Sequence, residues 1–150
     1  GKLTESLDRL MDETPEYYVF NGAANALTGD NALTAKVGET VRIYFGVGGP
    51  NKTSSFHVIG EIFDKAYQLA SLTTEPLTDV QTITVPPGGA AVVDMTMDVP
   101  GEYVLVDHAL SRAARGLVGK LLVEGNERPD VFEAEATRPA EPEHSGHGTH

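Results

Sequence analysis

The sequence contains no cysteine. That absence excludes disulfides, zinc–thiolate sites, iron–sulfur clusters and a blue-copper centre built within this chain. It leaves the compartment open, because proteins outside the cytoplasm can also lack disulfides. Basic residues are scarce: 11 Lys and Arg stand against 22 Asp and Glu, a formal net charge of −11. This argues against nucleic-acid binding through a broad basic face. Two readings of the excess acid stay open, a halophilic source with a surface suited to high salt, or an ordinary acidic protein with an acidic tail. No apolar run approaches the roughly 18 residues of a membrane helix, so no span is expected. The opening Gly1-Lys2-Leu3-Thr4 shows no signal-peptide pattern, and any such segment would already have been removed. There is no internal repeat and no His-x-His pair.

What is present is a chain of 150 residues, long enough for one domain with a core and two ends to spare. Its apolar residues fall in short blocks separated by turn signals, which predicts an all-β sandwich. Residues 3–11 read as a short helix with Thr4 as N-cap and Leu3, Leu7, Leu10 and Met11 on one stripe. Residues 1–16 thus form a connector, 17–125 the domain, and 126–150 an acidic, Pro-rich tail expected to be extended or disordered.

Within the domain, strands are expected at 17–20, around Leu33, at 40–45, 55–59, 81–85, 91–99, 103–107 and 117–124. Val41, Ile43 and Phe45 should face the core. Met95 and Met97 should also be core, since no cysteine accompanies them as a copper partner. Residues 64–79 read as a polar connection, and 110–115 as one or two helical turns.

Two histidines lie on β-elements. In Thr53-Ser54-Ser55-Phe56-His57-Val58-Ile59, strand alternation puts Ser55, His57 and Ile59 on one face and Phe56 and Val58 on the other. The second, His108, follows Asp107 at the end of a strand. Taken alone, His57 reads as a hydrogen-bonded core histidine and His108 as a solvent-facing one. His144, His147 and His150 are evenly spaced in the tail and are given no role.

The runs GETVRIYFGVGGPNKTSSFHVIGEIFDKAY, VPPGGAAVV and PGEYVLVDHALSRAARGLVGKLLVEG resemble the second, C-terminal cupredoxin domain of copper-containing nitrite reductase. The resemblance runs from about Tyr17 to Gly125, and the helix before it resembles that family's connector between domains. It implies a cupredoxin-like Greek-key β-sandwich with a short N-terminal helical connector. It also implies an NO-forming, periplasmic or extracytoplasmic enzyme of denitrification, a homotrimer of two-domain subunits, active only with the first cupredoxin domain on a companion chain or segment. Electrons would come from a small copper protein or a cytochrome. The type 1 copper of the family lies in the first domain, in keeping with the missing cysteine.

Carried over residue by residue, His108 in the VDH motif matches a ligand of the type 2 copper, whose other ligands belong to the first domain of a neighbouring subunit. His57 in SSFHVIG matches the catalytic histidine that does not bind copper. Ile59 matches an apolar residue crowding the nitrite pocket. Asp107 and Thr82 are candidate supporting residues. Asp107 reads equally as a solvated strand-end carboxylate, and Thr82 stands where some members carry a supporting glutamate. A further departure is Ile62, at a position five after the catalytic histidine where many members have a second histidine. Two other readings remain: a fragment of another multicopper oxidase, disfavoured by the missing His-x-His, and a copper-free cupredoxin-like assembly domain.

Overall fold

A computed structural model describes residues 4–132. The expected tail structure beyond residue 132, with its three histidines, lies outside the described residues. Two sheets face each other. The first has the order β1 (Leu33–Lys36), β9 (Val118–Glu124), β8 (Gly101–Asp107), β3 (Ser54–Ile59), β6 (Thr82–Val85). The second has the order β2 (Thr40–Gly46), β7 (Ala90–Thr96), β4 (Phe63–Tyr67), β5 (Leu77–Val80). All pairings are antiparallel except β1 with β9. The chain passes repeatedly between sheets, so β3 comes to lie between β6 and β8. This is the all-β, Greek-key, cupredoxin-like sandwich the sequence predicts.

Alternation explains which side chains meet. On β3, Phe56 and Val58 are buried while Ser55, His57 and Ile59 face out. Phe56 stacks between Phe45, at 4.3 Å between ring centroids, and Phe63, at 5.9 Å. Phe20 meets Phe45 edge-on at 6.3 Å. Each large apolar side chain buried in this way contributes about 1.5–3 kcal/mol. Met95 and Met97 are fully buried in the same core.

Three local expectations need correcting. Residues 17–20 form no strand: Phe20 packs on the core, but the run has no ladder partner. Residues 64–79 are not merely a connection, because β4 and β5 lie there. Phe63 and Ala66 are the buried residues of β4, three apart rather than alternating, and Ala, with Asp64 and Lys65 beside it, leaves little strand signal. The helix is only Leu7–Met11, capped by Ser6 rather than Thr4; the Ser6 side chain accepts from the Arg9 N–H. Leu7 and Met11 are exposed, so its apolar stripe is not part of the domain core. On β7, Val92 and Asp94 are buried as well as Val93 and Met95, because β7 is central in its sheet and Arg42 lies over Asp94.

After β8 the chain makes a 3-10 turn over Leu110–Arg115 that ends at Gly116, φ 110°. A side chain at Gly116 would be strained in that conformation, and its Cβ would lie 3.1 Å from the Tyr18 carbonyl oxygen. The glycine lets the turn return close beside Tyr18 and Val19.

Candidate metal centre

The two histidines come together at one end of the first sheet. His57 lies mid-strand on β3, opposite Thr82 on β6 and Val106 on β8. His108 follows the last residue of β8, and its N–H donates to the Ser55 carbonyl at 2.8 Å. That bond carries the β3–β8 pairing one step past the strand end. The ring centroids of His57 and His108 are 5.2 Å apart with planes tilted by 53°. His57 is half-buried and His108 exposed. Ile59, 46% exposed, shares the His57 face two residues along, so an apolar group borders the pair.

His57 Nδ1 lies 2.5 Å from the Gln81 carbonyl oxygen. A carbonyl only accepts, so the neutral ring carries its proton on Nδ1 and keeps Nε2 as its free nitrogen. Thr82 lies beside His57 in the register, but no hydrogen bond joins its side chain to His57 among the described residues. The contact the sequence did not reveal is the main-chain carbonyl of Gln81, which any residue at that position offers.

Asp107 faces inward and is 1% exposed. Burial works against its ionisation. The N–H of Ala109, the Ser54 hydroxyl, the Arg112 guanidinium and the N–H of Ser55 outweigh this and hold its pKa below the usual carboxylate value. The distances are 3.0 Å to Ala109 N, 2.8 Å to Ser54 Oγ and 3.3 Å to Ser55 N. Arg112 completes the set with a close ion pair. Asp107 is therefore a buried, fully hydrogen-bonded anion, which decides against the solvated strand-end alternative. Arg112 is the residue that sequence reasoning passed over. Its one signal is an arginine in the turn just past Asp-His.

Beside this cluster a cleft of about 1040 Å³ opens between the connector and the 47–52 loop, with Ser54, Asp107 and Arg112 among its lining. Asn51 spans it by donating from its side chain to the Leu10 carbonyl at 2.7 Å. Among the described residues, no three His, Cys, Asp or Glu side chains converge to hold a metal ion. An exposed imidazole at a strand end, next to a second imidazole, does fit a ligand for a borderline metal such as copper. Such a site needs further ligands from elsewhere.

A multicopper oxidase family model matches residues 3–127, and the chain belongs to that family. The relatives narrow the class. The chain is 54% identical over 128 residues to the copper-containing nitrite reductase of Neisseria meningitidis serogroup A, covering 84% of this chain and 32% of that protein. It is 36% identical over 129 residues to the copper-containing nitrite reductase of Neorhizobium galegae, covering 85% and 34%. Among solved structures, the copper nitrite reductase of Nitrosomonas europaea superposes with a TM-score of 0.73 at 30% identity, over 82% of this chain and 45% of that one. The nitrite reductase of Thermus scotoductus gives 0.72 at 30%, over 81% and 28%. The chain spans about a third of the length of the curated relatives it matches.

Proposed function

We propose that this chain is the second cupredoxin domain of a copper nitrite reductase and that it supplies His108 to a type 2 copper. The remaining ligands come from the first domain of a neighbouring subunit in a trimer, and the assembled enzyme works outside the cytoplasm. The reading rests on one observation above the rest: His57 and His108 present their rings 5.2 Å apart at an accessible sheet end. The 54% identity to a copper-containing nitrite reductase supports the choice of metal and substrate.

The overall change is nitrite plus one electron and two protons to nitric oxide and water. Type 2 copper, when bound, supplies Lewis acidity and the electron received from the first domain. His57 supplies what this chain can: a proton. With Nδ1 engaged by Gln81, the protonated ring has its Nε2 proton available for a nitrite oxygen. Ile59, on the same face two residues along, is the apolar group that would crowd nitrite there. His108 offers a neutral imidazole nitrogen as a metal ligand.

The test separates the two histidines in the assembled protein. His108→Ala should deplete type 2 copper while the blue colour of type 1 copper survives. His57→Ala should keep its copper and lose turnover by roughly 10²–10⁴-fold, the usual contribution of a positioned acid–base group. Metal content by mass spectrometry, set beside nitrite turnover, reads both. Full copper and full activity in both variants would defeat the proposal.

A further inference from the structure

Arg112 has no part in the chemistry above, yet it joins three separate elements. Its guanidinium pairs with Asp107, donates to the Thr53 carbonyl at 2.8 Å just before β3, and lies 4.9 Å over the Tyr18 ring, just past the connector. Arg115, from the same turn, also lies 4.9 Å from the centroid of the Tyr18 ring and donates to the carbonyls of Pro15 and Glu16. The turn that begins two residues after His108 is thus fastened by two arginines to Tyr18, and by Arg115 to the end of the connector.

The carboxylate that Arg112 grips brackets His108. One oxygen of Asp107 accepts from the N–H of Ala109, the residue after His108, and from the N–H of Ser55. Ser55 in turn accepts the His108 N–H and lies two residues from His57. Beside the β3–β8 ladder, which pairs His57 with Val106, the bonds on either side of His108 thus run through Asp107 and Ser55. A buried ion pair is weak evidence for stability, because apolar replacement is often neutral or better. Its value here lies in fixed geometry, since the planar fork of arginine meets several partners in set directions.

We propose that Arg112, acting through Asp107, is a positioning residue for His108, and that the hold of its turn on Tyr18, and through Arg115 on Pro15 and Glu16, makes the end of the connector part of the frame that aims the ligand. The inference rests on the reading of His108 as a copper ligand. Outer partners that orient a ligand typically account for 10–100-fold in metal affinity.

The experiment uses the assembled, copper-loaded protein with two changes. Arg112→Lys keeps the charge but replaces the fork by a point charge that cannot serve Asp107, Thr53 and Tyr18 together. The double change Asp107→Asn with Arg112→Met removes both charges and leaves no lone ion buried. Type 2 copper affinity is measured by chelator competition, its ligand field by electron paramagnetic resonance, and folding by thermal melts. Affinity should fall by about 10–100-fold in both, with an altered type 2 signal. Wild-type affinity and signal in folded variants, whatever the melting temperature does, overturn the inference and leave the pair a structural brace. Should the double variant fail to fold, Arg112→Lys decides by the same two readings. His108→Ala, run alongside, keeps the two claims apart. If it retains type 2 copper, the ligand assignment fails; if it loses copper while the Arg112 variants match wild type, only the positioning role fails.

Discussion

His57 Nδ1 meets the main-chain carbonyl of Gln81 at 2.5 Å, across the edge of the β3–β6 pair. The contact fixes which nitrogen of His57 is free, and does so without any side chain from β6. Nitrogen-15 NMR of the neutral ring should therefore show the Nδ1–H tautomer. Gln81→Ala should leave both that signal and nitrite turnover unchanged, because the acceptor is main chain. An Nε2–H tautomer in the neutral state would contradict the geometry and remove the proton route proposed for His57.

Much of this arrangement was legible in the sequence, and the reasons for the exceptions are physical. The alternation in Ser54–Ile59 and Thr40–Gly46 gives the buried and exposed faces directly, since a strand repeats every two residues. The two histidines were visible as chemistry-bearing residues on strands. Their approach depends on β3 and β8 being neighbours, a long-range pairing that local pattern does not encode. The β4 strand lacks a readable signal because its buried residues, Phe63 and Ala66, do not alternate, and the 17–20 run looks like a strand because aromatic residues favour strands even where no partner exists. Arg112 is not marked by any local pattern, because its partner Asp107 faces inward only once the strands are paired.

The aromatic stack beneath the site should dominate local stability. Phe56 is 1% exposed and lies between Phe45 and Phe63. Phe56→Ala should cost about 3–5 kcal/mol, because the flanking rings cannot collapse into the space. Phe56→Leu should cost less, as it fills more of the volume. Urea unfolding of the two variants checks the order, and a cost below that of an ordinary surface change would show that the stack is dispensable.

On the opposite sheet, Arg42 grips Asp94 with two bonds of 2.6 and 2.7 Å across the β2–β7 pair. Asp94 is 7% exposed. Arg42→Met should lower the melting temperature by leaving that carboxylate buried without its partner. Adding Asp94→Asn should restore much of the loss, since the stranded charge is then gone. Copper content should not change in either, because the pair lies in the other sheet from the two histidines. A double variant less stable than the single would show that the pair itself, rather than the orphaned charge, sets the effect.

The pH dependence of stability should carry the mark of Glu61, one residue past the turn that ends β3. Burial raises its pKa above the ordinary 4.5; the N–H of Ile62 opposes this, and Asp98 and Asp64 add to the rise. The folded state therefore holds the Glu61 proton more tightly than the unfolded chain. Its contribution is fully present below pH 4.5, the ordinary value, and is lost as pH rises through the higher folded value. Above that window the ionised side chain is a net burden. Glu61→Gln keeps the shape and removes the charge, so the variant should be more stable than wild type at neutral pH. The gain should shrink on acidification and level off below the ordinary glutamate value. Denaturant midpoints measured for both proteins from pH 4 to 8 give the difference curve, in which other titrating groups cancel to first order. A flat difference, or one that grows as pH falls, would mean that Glu61 ionises in the fold as easily as in the unfolded chain.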